Sequence, residues 1–93
     1  MIKSFHNKET QALFERVRCY RKWRSFERIA LRKLVMVHAA KELKDLACPP
    51  NNRLEGLKGD RQSQYSIRIN QQYRVCFEWK EGDAYDVEIV DYH

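Results

Sequence analysis

The sequence predicts an α+β fold in which N-terminal helices pack on one face of a small antiparallel β-sheet. Three observations lead to that class. Apolar residues recur at helical spacing between residues 25 and 47, three runs between 65 and 93 alternate apolar with polar residues, and only a few residues separate those runs, as an antiparallel meander requires. At 93 residues the chain is read as one domain spanning 1–93, large enough for a modest core but marginal in the surface it buries.

The elements follow in order. MIKSF, residues 1–5, sets Ile2 and Ser4 against Lys3 and Phe5 and reads as an edge strand. NKETQALFERV, residues 7–17, reads as a helix with Asn7 as cap and Ala12, Leu13 and Phe14 on its buried side. A longer helix is expected from Ser25, its N-cap, through Ala47, with Glu27 in the first turn, where the helix dipole favours an acid. Phe26, Ile29, Ala30, Val37, Ala40, Leu43 and Ala47 form its stripe. Leu31, Val35 and Leu46 lie off that stripe, so the helix should cover a sheet and touch something else as well. Pro49 and Pro50 end it, because neither can continue the hydrogen-bond ladder. NNRLEGLKGDRQSQ, residues 51–64, is polar and broken by glycines and reads as a loop pinned by Leu54 and Leu57. Three strands follow, with Tyr65, Ile67 and Ile69, then Tyr73, Val75, Phe77 and Trp79, then Tyr85, Val87 and Ile89 facing inward. An EGD turn joins the last two.

A hydrophobic fraction of 43% with 12% aromatics excludes a disordered chain. The net charge of +5 is unevenly spread: residues 1–33 hold ten Lys/Arg and three Glu, whereas residues 81–93 hold five acids and no Lys or Arg. That density of cations around Arg18, Arg21, Lys22 and Arg24 suits a polyanion, nucleic acid before membrane, because the stretch lacks the clean apolar face of a surface-lying helix. A solvated basic face is the plain alternative. The first fifteen residues have no apolar signal region and no run approaches membrane-spanning length, so a soluble cytoplasmic chain without a membrane partner is expected. Cys19, Cys48 and Cys76 are odd in number and widely spaced, which argues against a zinc site, any other metal or a disulfide framework, and no cofactor is implied. Cys76 reads as an inert buried thiol. His38 reads as packed or solvated rather than as a ligand, and Trp23 as a pin for the segment between the helices.

The outer sheet face is where chemistry is expected. Arg68 and Arg74 point away from the apolar set on neighbouring strands, and a hairpin brings such positions side by side. Lys58 and Arg61 approach from the loop, and Tyr92 and His93 come with the last strand. For a phosphodiester these are suitable parts. Cations stabilise charge growing on phosphate, an aromatic ring stacks on a base, and histidine moves a proton near neutral pH. A polar outer face with no chemistry is the alternative.

MIKSF and ALFE near the start, RLEGLKGDR in the middle, YSIRINQQYRVCFEW and above all GDAYDVEIVDYH at the end resemble the HigB toxins of bacterial toxin–antitoxin modules, within the RelE-like toxin superfamily. The resemblance covers nearly the whole chain. It implies the RelE-like toxin fold and an endoribonuclease that cuts messenger RNA in the decoding site of the translating ribosome. It also implies a HigA-type helix-turn-helix antitoxin as partner, through which alone the operator DNA would be contacted. Carried onto this sequence, it gives Lys58 and Arg61 from LKGDR, Arg74 from YRVCF, and Asp91, Tyr92 and His93 from the last strand. Some members have a histidine where this chain has Glu55. Glu55 cannot serve as an imidazolium, so either it is a base or orienter, or the work falls on Lys58 and His93.

The expected mechanism begins with attack of the RNA 2′-hydroxyl on its adjacent phosphate, with loss of the 5′-oxygen of the next nucleotide. His93 is the candidate acid, favoured as imidazolium by Asp91 and the terminal carboxylate. Lys58 or Glu55 is the base, Arg74 and Arg68 neutralise the phosphate with Arg53 and Arg61 beside them, and Tyr92 stacks on or hydrogen-bonds the substrate. Strict alternation puts Tyr92 opposite Asp91 and His93, so the strand end must twist for all three to act together. The segment from Arg16 to Lys33 is expected to hold ribosomal RNA. The rival from another class is a non-catalytic basic module that binds RNA or the ribosome and slows translation without cutting.

Overall fold

Asn7 starts the first helix by accepting a hydrogen bond from the Thr10 amide at 2.9 Å, and α1 runs over Lys8–Phe14 in the computed structural model, which describes residues 1–57 and 64–91. It ends three residues before Val17, the expected end, because Arg16 turns into the left-handed region with φ 61°.

The long helix begins and ends differently from expectation. Ser25 lies inside a 3₁₀ helix, Arg21–Phe26, and is no N-cap. Trp23 and Phe26 stand three apart and are both buried, a spacing that suits three residues per turn. Trp23 does pin this segment, meeting Tyr20 edge-on at 5.2 Å. Helix α2 then covers Glu27–Ala39, not residues 25–47. Its buried face is Ala30, Lys33, Leu34 and Val37, a clean i, i+3, i+4, i+7 set. Ile29, expected on the stripe, is 37% exposed. The helix stops at Ala40, which is extended, well before the prolines. Asp45 is the cause: its carboxylate accepts from the amides of Lys41 and Glu42, both at 3.0 Å. Those bonds open a capping box that starts a fresh 3₁₀ helix, Leu43–Ala47, and a local side-chain partner for the backbone competes with continued helix. The redirected chain buries Leu46, which lies off the stripe of the expected helix. A last 3₁₀ turn, Pro50–Asn52, leads to the sheet.

Strands β1 (Glu55–Gly56), β2 (Gln64–Arg68), β3 (Tyr73–Lys80) and β4 (Asp83–Asp91) form one antiparallel sheet in that order. The β3–β4 hairpin turns on Glu81 and Gly82, with φ of 50° and 84°, the positive values that a two-residue turn of type I′ requires. Within β4, Asp86 has φ 57° and the register with β3 shifts between Cys76 and Glu78. This bulge corrects one sequence expectation: Ala84 opposes Trp79 and takes the inner position, while Tyr85 opposes Glu78 on the other face. The first residues lie along the free edge of β4 as two isolated parallel bridges, Ile2 to Ala84 and Phe5 to Val87, rather than as a strand of their own. Covering an edge in this way removes a template for unwanted pairing.

Ile67, Val75, Phe77 and Val87 from the sheet meet Ala30, Leu34 and Val37 from α2 in a core that excludes solvent. Burying each large side chain contributes roughly 1.5–3 kcal/mol, and this layer fixes which sheet face is left for other work. His38 is packed, its ring 5.2 Å from that of Phe14 and its Nδ1 accepting from the Ile2 amide at 3.1 Å. Among the described residues no helix is long and apolar enough to cross a membrane.

Candidate functional site

The face of the sheet turned away from α2 carries a cleft of about 420 Å³ lined by Arg53, Glu55, Arg68, Asn70, Gln71 and Arg74. Strand pairing builds its floor. Arg68 on β2 is directly opposite Arg74 on β3, as the hairpin argument expects, and two like charges in that relation repel unless an anion lies between them. Glu55 supplies one anion, its Oε1 lying 3.5 Å from Arg74 Nη2.

Arg74 is the most constrained of these groups. Only 8% of it is exposed, and burial of a cation is tolerated only where hydrogen bonds replace water. Its Nε donates to Ser66 Oγ at 2.8 Å and its Nη2 to the Ser66 carbonyl at 3.3 Å and to the Arg53 carbonyl. A guanidinium gripped in this way has little freedom to reorient, so its direction is set before any ligand arrives. Arg68 is looser, donating from Nε to the Asn70 carbonyl at 3.1 Å. Asn70 in turn organises the β2–β3 turn by accepting from the amides of Gln72 and Tyr73, both at 2.8 Å, the behaviour that makes asparagine a turn residue.

The loop that brings Arg53 and Glu55 to the cleft is tied to the helix layer. Lys33, 4% exposed, donates to Asn52 Oδ1, and Asn52 is fully buried. The Asn52 amide donates to the carbonyls of Leu46 at 3.1 Å and Cys48 at 3.5 Å. Burial, helped by the neighbouring charge of Arg32, holds the Lys33 ammonium below the ordinary lysine pKa.

The expected site residues are thus partly brought together. Arg53, Glu55, Arg68 and Arg74 share the cleft. Asp91 is exposed at the end of β4 opposite Tyr73, which strand alternation places on the face opposite Arg74, and it accepts from Gln72 Nε2 at 3.0 Å. Lys58, Arg61, Tyr92 and His93 lie outside the described residues. Arg18, Arg21, Lys22 and Arg24 are all exposed on the helix side. Phe26, which closes their 3₁₀ helix, stacks on Tyr73 with ring centroids 4.7 Å apart, so the basic segment is anchored beside the residue that precedes Arg74. Sequence reasoning assigns no role to Ser66, Asn70, Gln71 or Asn52, and it places Lys33 in the basic segment expected to hold RNA, whereas Lys33 is buried against Asn52 and faces no RNA. The Asn-Gln-Gln run between two strands was a legible turn signal for Asn70, whereas the burial of Ser66, Asn52 and Lys33 depends on contacts between distant segments. Among the described residues no group of three or more His, Cys, Asp or Glu side chains is placed to hold a metal ion. Cys76 is buried and Cys19 and Cys48 are unpaired thiols, and burial beside Glu27 pushes the Cys19 thiol up.

Residues 3–93 match the family model described as the RelE-like toxin of the type II toxin–antitoxin system HigB. The chain is 37% identical over 98 residues to a Proteus vulgaris protein named Endoribonuclease HigB, covering 100% of both. It is 45% identical over 60 residues to Toxin HigB-1 of Vibrio cholerae serotype O1, an alignment that takes in 64% of this chain and 63% of the relative, so the chain spans less than two thirds of that protein. A structure described as the YoeB dimer from Staphylococcus aureus superposes with a TM-score of 0.55 at 14% identity, over 99% of this chain and 97% of the other. A YoeB/ParE toxin from Agrobacterium tumefaciens gives 0.55 at 17% identity, over 98% and 99%. These two establish likeness of fold. The YoeB–YefM complex from Staphylococcus aureus matches at 0.52 and 14% identity, over 100% and 98%.

Proposed function

Because this chain belongs to the HigB family of RelE-like toxins, we propose that it is an endoribonuclease whose cleft between Arg53, Glu55, Arg68 and Arg74 receives the scissile phosphate of messenger RNA on the ribosome. The observation that carries this reading is the arginine pair: Arg68 and Arg74 stand opposite one another, and Arg74 is buried and aimed by three oxygen acceptors. Two cations held together in this way are relieved by a dianionic or developing charge, which a phosphoryl group supplies as its 2′-oxygen attack proceeds. The relative named Endoribonuclease HigB supports the same chemistry.

In the proposed reaction the 2′-hydroxyl oxygen bonds to the adjacent phosphorus and the bond from phosphorus to the 5′-oxygen of the next nucleotide breaks, leaving a 2′,3′-cyclic phosphate. One proton leaves the 2′-hydroxyl and one must reach the departing 5′-oxygen. We assign these transfers to Lys58 as base and His93 as acid, with Tyr92 against a base of the message and Arg61 on the backbone. Glu55 is the orienter among the two roles open to it, since its carboxylate is within 3.5 Å of Arg74 and is thereby engaged as a counterion. Asp91 sits at the end of β4, where it supports the charge of the residues that follow it. Arg18, Arg21, Lys22 and Arg24 hold ribosomal RNA, and phosphate contacts of that kind position without specifying sequence.

A HigA-type antitoxin is the proposed protein partner, with operator DNA reached through it. The family's place in type II toxin–antitoxin systems and the fold's occurrence in a YoeB–YefM complex support a protein partner of this sort. The test is to incubate purified protein with ribosomes translating a defined message and map the new ends. Codon-aligned cuts that vanish in Arg74→Met are expected. Slowed translation with intact message would instead make the protein a ribosome-binding inhibitor without nuclease activity.

A further inference from the structure

A chain of contacts links Arg74 to the helix layer on the opposite side of the sheet. Lys33 on the buried face of α2 donates to Asn52, and both amide hydrogens that Asn52 uses go to carbonyls of the preceding loop, those of Leu46 and Cys48. The next residue, Arg53, adopts φ 48°. A non-glycine side chain takes that left-handed conformation only where its surroundings hold it. The effect of the turn is to present the Arg53 carbonyl to Arg74 Nη2, while Ser66 grips the same guanidinium from β2 through Oγ and its carbonyl. Arg74 is thus clamped between a strand and a loop, and the loop is itself clamped to a helix.

Resting on the reading of the cleft as a phosphate site, we propose that Lys33 and Asn52 are positioning residues for Arg74. They fix the Pro50–Asn52 turn so that the Arg53 carbonyl, together with Ser66, aims the guanidinium at an incoming phosphate. Neither side chain touches the substrate. A loop that is free to move by an ångström would withdraw the Arg53 carbonyl from this grip and let the Arg74 guanidinium turn away from the ligand.

Arginine-labelled full-length protein provides a readout separate from cleavage, because the Nε–H of Arg74 gives its own NMR resonance, assigned by its loss in Arg74→Lys. In the parent this proton should exchange slowly with solvent and shift on titration with inorganic phosphate. In Asn52→Ala the anion-free resonance should move, its exchange should quicken, and the phosphate dissociation constant should rise about tenfold, the scale of one charge-assisted hydrogen bond. Val37→Ala, a core change on α2 compared at matched loss of thermal stability, should leave both quantities at parent values. An Asn52→Ala protein that retains the parent resonance, exchange rate and phosphate affinity overturns the proposal. Should Asn52→Ala fail to fold, Lys33→Met, which keeps the side-chain length and removes the donor, decides in the same way. If the parent resonance does not respond to phosphate, the cleft is not a phosphate site. The anion-free spectra then still decide whether Lys33 and Asn52 position Arg74.

Discussion

Replacing Glu55 by glutamine separates the two roles open to that residue. The substitution keeps the size and one acceptor oxygen but removes the charge facing Arg74 at 3.5 Å. Glu55 is 57% exposed at its side chain while Arg74 is 9% exposed, so water screens the pair from one side and its worth is that of an exposed ion pair, about 0.2–1 kcal/mol. An orienter of that strength, converted through RT, changes the cleavage rate by about fivefold at most. A general base contributes far more, roughly 10²–10⁴-fold. Single-turnover cleavage on programmed ribosomes, run with saturating Glu55→Gln and parent protein, measures the difference without interference from product release. We expect a loss of no more than about fivefold and a melting temperature close to the parent's. A folded Glu55→Gln protein slowed by about a hundredfold or more would refute this reasoning and make Glu55 the base.

Changing Arg18, Arg21, Lys22 and Arg24 together to glutamine should weaken ribosome binding and reduce its dependence on salt by about one unit of slope for each phosphate no longer neutralised, with cut positions unchanged; an unaltered slope would leave the segment a solvated surface. Gly82→Ala forces a β-carbon onto a residue with φ 84° and brings it to 3.4 Å from the Lys41 carbonyl, so it should cost about 1–2 kcal/mol and lower Tm by about 5–15 °C, read by calorimetry. Lys33 gives a pH signature. Its folded pKa is depressed by burial, so between that value and the ordinary lysine value the folded state binds fewer protons than the unfolded one. Stability relative to Lys33→Met should therefore rise with pH across that window and be least favourable below it. Urea unfolding of both proteins from neutral pH to about pH 10 checks this, and a difference that stays flat would contradict it.

The parts of the fold legible in the sequence were those set by local pattern. Alternation in residues 65–80 gave β2 and β3 their faces, and Asn7 gave α1 its start. The long helix was misread because its apolar spacing continues past Ala39, and only the reach of Asp45 back to two amides breaks it. The inward assignment of Tyr85 failed for a related reason: one residue with positive φ at Asp86 shifts every position before it by one, and period-two counting has no way to register an inserted residue. For the cleft, charge and alternation picked out Arg68 and Arg74, and the family resemblance added Glu55. Nothing local marked Lys33 for burial. A lysine among arginines on a helix reads as solvated, and its partner Asn52 lies nineteen residues further on.

The parallel bridges from Ile2 to Ala84 and from Phe5 to Val87 bear on when this molecule can finish folding. Ser4 and Asp86, joined at the same edge, are 82 positions apart, so the pairing closes a very long loop and forms late relative to the hairpins. During synthesis the first residues must wait, unpaired, until residue 87 has cleared the exit tunnel. All the codons up to that point have been decoded by then. Until then the outer edge of β4 stays uncovered and the sheet of the emerging chain is unfinished.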